Sequence, residues 1–324
     1  TILQSVGRDT ATALKKAGQR ENPDYPERSV YNPRGRYDDD GKPQPPKLKF
    51  KRDTYFGPVL IGRAGASDDL SPEAEIELYT RFDQVVDEAA RGAYRQAVLR
   101  AVAGEPIGYI RGLKEFYSLT FKVTPDVLIP RGETELLVDA AVDLARKRGG
   151  AGKLWDVCTG SGCVAVAAAH HAPGLTVLAT DISPAALAVA AKNIRTHGLT
   201  ERIRTAEADL LALPDELAGE APFDAITANP PYVSDREYAE LPAEVLAEPE
   251  LALRAGATGL ECIERIVRDA PDRLAEGGML AMEIGAGQAD AAYQLLTEGE
   301  SFEDVRMLKD LAGIDRTVVA RRRG

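Results

Sequence analysis

Asp156-Val157-Cys158-Thr159-Gly160-Ser161-Gly162 sets a carboxylate, two hydroxyls and two glycines between an apolar run and an alanine-rich one. Glycines at such a turn let backbone approach a ligand closely, and the amides opening the next helix can donate to an anionic group. A tight strand-to-helix turn without a ligand is the plainer alternative for this segment taken alone. The Lys-Ser/Thr ending of a phosphate-binding P-loop is missing, which argues against nucleoside triphosphate hydrolysis. Asp181 then follows Gly162 by 19 residues, at the end of Leu178-Ala179-Thr180. An acid there can accept both hydroxyl protons of a ribose. Ser183-Pro184 supplies its own helix cap, so the reading leaves the Asp181 carboxylate free for a ligand. Asp209-Leu210 holds the same place after a third apolar run, offering an acceptor for an amino group and an apolar surface for a ring.

The deciding signal is Ala228-Asn229-Pro230-Pro231-Tyr232-Val233. Two prolines fix the backbone and restrict Asn229 to extended geometry. The Asn229 side-chain oxygen and the Pro230 carbonyl can then each accept one N–H of a planar NH2 group, with the Tyr232 ring on its face.

These turns need rigid supports, and the hydrophobic pattern supplies them. Strands are expected at Lys153–Cys158, Leu175–Thr180, Arg202–Ala206, Phe223–Ala228, Gly278–Ile284, Phe302–Leu308 and Arg316–Arg321, with helices near 133–148, 162–171, 184–197, 259–275 and 287–298. Alternation of this kind predicts a parallel sheet covered on both faces. The link Lys309–Asp315 is too short for a crossover, so the last two strands must pair antiparallel at one edge. Ahead of them, Glu115–Val123 reads as a hairpin. Ser71-Pro72 opens a helical run to about Ala103, with apolar residues such as Ile76, Phe82 and Val86 at helical spacing.

Residues 1–63 are different. They carry 7 of the 20 prolines, and their 13 Lys/Arg against 8 Asp/Glu leave the rest of the chain at −16 out of a total of −11. The reading here is a largely extended segment, with a short helix at Asp9–Ala17 and an edge strand at Thr54–Ile61 as candidates. A solvated tail is its plain interpretation, and a weak contact with RNA or an acidic partner surface the alternative. The domain organisation expected is 1–70 proline-rich and basic, 71–104 helical and substrate-recognising, 105–131 a hairpin linker, and 132–324 the catalytic domain.

With 44% hydrophobic and 28% charged residues, the 324-residue chain excludes wholesale disorder and fibrous repeats. No apolar run is long enough to cross a bilayer, and no leader is visible at Thr1-Ile2-Leu3, so a cytoplasmic protein is expected. Three cysteines and three histidines without a CxxC pair or ligand spacing argue against structural zinc and disulfides.

The three turns, in this order, resemble class I S-adenosylmethionine-dependent methyltransferases, and Asn229–Tyr232 resembles the branch that methylates amide or exocyclic amino nitrogens. The segments Gly104–Ile110, Phe116-Tyr117 and Phe121–Glu135, with Glu248–Leu253 and Gly313–Arg316, resemble the HemK/PrmC family of release factor glutamine N5-methyltransferases. The likeness spans about 104–321. It implies a Rossmann-like α/β fold with a seven-stranded sheet whose last strand is antiparallel, preceded by a small helical region and a hairpin. It also implies S-adenosyl-L-methionine as methyl donor and, as substrate, the Gly-Gly-Gln glutamine of a class I peptide-chain release factor. By motif, Cys158, Thr159, Gly160, Ser161 and Gly162 would wrap the methionine part. Asp181 would take the ribose, Asp209 and Leu210 the adenine end. Asn229, Pro230, Pro231 and Tyr232 would hold the glutamine, with Asn229 also bordering the cofactor. Cys158 stands where many members have glycine, and Gly132 where they usually have proline. A ribosomal-protein glutamine and an adenine N6 of nucleic acid are the alternative acceptors. The acidic body argues against the latter.

Overall fold

The structure, a computed structural model, describes residues 88–324. The candidate elements at 9–17 and 54–61, and the expected helix start at Ser71, lie outside the described residues. Glu88–Val102 is helical, and after Gly104-Glu105-Pro106 a single turn, Ile107–Arg111, leads into a hairpin of β1 (Leu113–Phe116) and β2 (Leu119–Lys122).

From Glu135 the chain alternates. The helix Glu135–Lys147 precedes β3 (Ala151–Val157), and the helices Cys163–His171 and Pro184–Thr196 flank β4 (Gly174–Asp181). Then come β5 (Ile203–Glu207), β6 (Phe223–Ala228), a small parallel pair of β7 (Val233–Ser234) and β8 (Arg254–Gly256), and β9 (Leu274–Glu283). The chain closes with β10 (Phe302–Lys309) and β11 (Asp315–Arg322). The main sheet has the order β10-β11-β9-β6-β3-β4-β5. Its β3, β4, β5, β6 and β9 pair in parallel, whereas β11 runs antiparallel to both neighbours, in the case of β10 because their link is too short for a crossover.

Successive residues of β3 serve opposite faces: Leu154 enters the apolar layer shared with the helices Glu135–Lys147 and Cys163–His171, and Trp155 and Val157 enter the other. Seven of the nine residues in Cys163–His171 are buried, so this helix has no polar stripe and works as core on most sides. Strand β9 begins four residues earlier than its pattern suggests, because Glu276-Gly277-Gly278 reads as a turn but forms an irregularity opposite Phe223–Ala225 within continued pairing.

Candidate functional site

Register brings the chemistry-bearing turns to one end of the sheet. Val157 pairs with both Thr180 and Ala228, and Asp181 with Glu207, so β3 to β6 finish side by side. The chain runs from β3 to β4 on one side, while β6 lies on the other. That reversal of strand order opens the crevice in which α/β sheets take ligands. A cavity of about 310 Å³ occupies it, walled by Cys158–Ser161, Asp181, Asp209, Leu210, Asn229 and Pro231. Gly162, Pro230 and Tyr232 are not part of this wall.

The turn after β3 is held from several sides. Cys158 has φ +55°, a left-handed conformation that glycine adopts more easily. Burial pushes its thiol pKa well up, so it is a neutral wall group. Gly162, at φ +79°, lies where a Cβ would meet Ala190 Cβ at 3.2 Å and its Cα at 3.3 Å, so the turn packs directly on the helix Pro184–Thr196. From that helix, buried Asn193 donates to Ser161 O (2.8 Å) and pairs with both backbone groups of Lys122, tying the turn to the hairpin. Beneath it, Asp156 accepts from Thr159 Oγ1 (2.6 Å) and Thr227 Oγ1 (2.8 Å). Burial outweighs those bonds and pushes the Asp156 pKa up to about 6. Ser161 Oγ is buried at the cavity beside the Cys163 thiol and, among the described residues, has no hydrogen-bond partner.

One carboxylate differs from the reading of the sequence. Ser183 does cap its helix, accepting from Ala186 N at 3.2 Å, yet Asp181 is not left free. One of its oxygens accepts from Gly160 N (2.9 Å) and the other from Ser183 N (3.0 Å), while burial raises its pKa. The carboxylate still has lone-pair capacity for a ligand. Asp209, in turn, is bound by Arg265 at 2.7 Å from the helix Glu261–Asp269, which contributes Cys262 and Arg265 to the cavity wall.

After β6, Asn229 Nδ2 donates to Thr134 Oγ1 at 3.2 Å, and Thr134 donates to Glu283 Oε2 at 2.6 Å. The Tyr232 hydroxyl reaches Glu283 Oε1 at 3.3 Å, which places the tyrosine behind the cavity instead of in it. Gln288 accepts from Gly285 N and donates to Tyr232 O at 3.0 Å, bracing the same segment. At the mouth, buried Glu248 accepts from Ile129 N (2.9 Å) and pairs with Arg131, joining the segment before Thr134 to the short helices at 243–253. Glu283, Asn193 and Gln288 escaped the sequence reading. The only local sign of the first two is a polar side chain on an otherwise apolar strand or helix face, and Gln288 leaves no sign at all.

A family model described as Methyltransferase small domain matches residues 133–257. The release factor glutamine methyltransferase of Moorella thermoacetica is 42% identical over 246 residues, covering 76% of this chain and 85% of that protein. That of Rhodopirellula baltica is 40% identical, covering 74% and 82%. This chain belongs to the release factor glutamine methyltransferase family. Among solved structures, the hMettl16 catalytic domain in complex with a MAT2A 3'UTR hairpin aligns with a TM-score of 0.53 at 19% identity over 64% of this chain and 76% of that one, a likeness of fold alone. The fold of the family is the class I methyltransferase sheet seen here, and its members, this chain included, are enzymes that use S-adenosylmethionine. Among the described residues no helix is long and apolar enough to cross a membrane.

Proposed function

We propose that this chain methylates the side-chain amide nitrogen (N5) of the glutamine in the Gly-Gly-Gln motif of class I peptide-chain release factors, in the cytoplasm. The observation that carries the reading is Asn229 in the cavity wall with one Nδ2 hydrogen donated to Thr134, which fixes the carboxamide's orientation and leaves Oδ1 as its acceptor for a substrate N–H.

The cavity suits S-adenosylmethionine. Its volume falls in the range of ligand pockets, roughly 300–1,000 Å³. Asp181 retains acceptor capacity for ribose hydroxyls, Leu210 offers an apolar surface beside Asp209, and Ser161 Oγ has, among the described residues, no hydrogen-bond partner, a role a ligand would fill. Cys158 to Gly162 would hold the methionine part. When bound, this cofactor supplies an electrophilic methyl group on a sulfonium, whose C–S electron pair stays with sulfur.

The chain's own work is orientation. An amide nitrogen is a poor nucleophile because its lone pair is delocalised into the carbonyl. Asn229 Oδ1 at the cavity wall and the Pro230 carbonyl just beyond it would accept its two hydrogens, and Tyr232, braced by Glu283 and Gln288, would keep the segment from rotating. As the N–C bond forms the nitrogen becomes positive, so both acceptors hold it more strongly in the transition state than before it. The methylated nitrogen is acidic enough to release its surplus proton to water, and no strong base is required.

Incubation with methyl-labelled S-adenosylmethionine and, separately, a class I release factor, a ribosomal protein and DNA tests the reading. Label on the release factor glutamine is expected. Label on either of the others, with none on the release factor, would overturn it.

A further inference from the structure

Resting on that reading, we propose that Glu283, acting through Thr134, is a positioning residue that decides which way round the Asn229 carboxamide is held. A carboxamide is nearly symmetric in shape, but only its oxygen can accept from a substrate N–H; presented the other way it offers two donors to two donors. Something must therefore select one face.

The hydrogen-bond count selects it. Thr134 has a single hydroxyl hydrogen, and at 2.6 Å from Glu283 Oε2 that hydrogen is committed to the carboxylate. The Thr134 oxygen can then only accept from Asn229, and Nδ2 lies 3.2 Å away to supply the hydrogen. Thr134 and Glu283 are 3% and 2% exposed, so most of what they can bond to is protein. The chain of bonds has one sense while Glu283 is ionised. A protonated Glu283 would donate to Thr134 instead, releasing the hydroxyl hydrogen toward Asn229, and the carboxamide would turn its NH2 to the cavity.

The charged and titratable groups around the carboxylate oppose one another. Glu133, on the turn that carries Thr134, disfavours its ionisation, and Arg316 of β11 favours it. Tyr232 donates to it, Arg131 acts on that tyrosine, and Cys163 lies near enough to sense its charge. Burial is the largest influence and pushes its pKa up to about 7, close to working pH. The switch in bond sense is thus reachable by ordinary titration.

The experiment uses the full chain with a release factor as substrate. Turnover of the parent is expected to fall on the acid side of about pH 7. Glu283→Gln should lower kcat by roughly tenfold to a hundredfold and abolish that limb. Thr134→Val should lose as much, and Thr134→Ser, which keeps the hydroxyl, should recover to within about twofold. Cofactor affinity by calorimetry should stay near the parent's in all three. An unchanged limb in Glu283→Gln, equal damage in Thr134→Ser and Thr134→Val, or cofactor affinity falling in step with kcat would each overturn the proposal. Should Glu283→Gln fail to fold by circular dichroism, the Thr134 pair decides. Should the parent leave release factors unmethylated, the functional reading fails on its own, and NMR still decides this one. The Asn229 side-chain amide protons, assigned by their loss in Asn229→Asp, should shift through the Glu283 titration in the parent and stay still in Glu283→Gln.

Discussion

Asn229 and Cys158 show how differently two cavity residues bear on the protein. Asn229 aims an acceptor where charge develops, so Asn229→Ala should reduce turnover by roughly 10²-fold while the dissociation constant for S-adenosylmethionine hardly moves. Single-turnover kinetics beside calorimetric titration would separate the two effects. Cys158 sits at φ +55°, where a non-glycine residue carries about 1–2 kcal/mol of strain, partly offset by the roughly 0.5–1 kcal/mol of chain entropy that glycine costs. Cys158→Gly relieves that strain but gives up the side chain's packing on the core, so the two should nearly cancel and Tm should move by less than about 3 °C in a thermal melt. The motif was legible from residue types, whereas the left-handed backbone at Cys158 was not, since a cysteine carries no local sign of it.

The elements most exposed to change are the short ones at the mouth. Glu248 satisfies the Ile129 amide and pairs with Arg131, and its side chain is 2% exposed. Glu248→Ala leaves a buried N–H without a partner, which should cost about 1–3 kcal/mol by urea denaturation and raise KM for the protein substrate more than for the cofactor. A few residues on, Gly132 opens the turn Gly132–Thr134 behind Arg131, whose ψ of 150° suits a following proline. Gly132→Pro should add about 0.4–1 kcal/mol by restricting the unfolded chain, read as a higher denaturation midpoint, with turnover retained because Thr134 stays in place. The strands and long helices were legible because their periods are local. The helices at 235–253 were not, for each is a single turn stabilised by what it packs against.

On the scale of the whole molecule, two carboxylates buried at the crevice make stability depend on pH. Asp156 and Glu283 titrate in the folded protein at about 6 and about 7, against ordinary values of 3.8 and 4.5. The native state therefore holds more protons than the unfolded one across that window, and their contribution to stability is lost as pH rises through it. Glu283→Gln removes one of the two, so its Tm relative to the parent should climb between about pH 5 and about pH 8 in parallel melts. A constant difference would place the Glu283 titration elsewhere. What the amino-acid order settled by itself was the alternation of strands and helices and the turns that carry Cys158–Gly162, Asp181, Asp209 and Asn229, because caps, breakers and hydrophobic period act over a few residues. What only the tertiary structure decided was who stands behind those turns: Thr134 and Asn229 are 95 positions apart and Thr134 and Glu283 are 149. A hydrogen bond across such a distance leaves no periodic trace in the chain. Whether a carboxylate is free, as the sequence reading has Asp181, depends on an amide that the fold delivers from another turn.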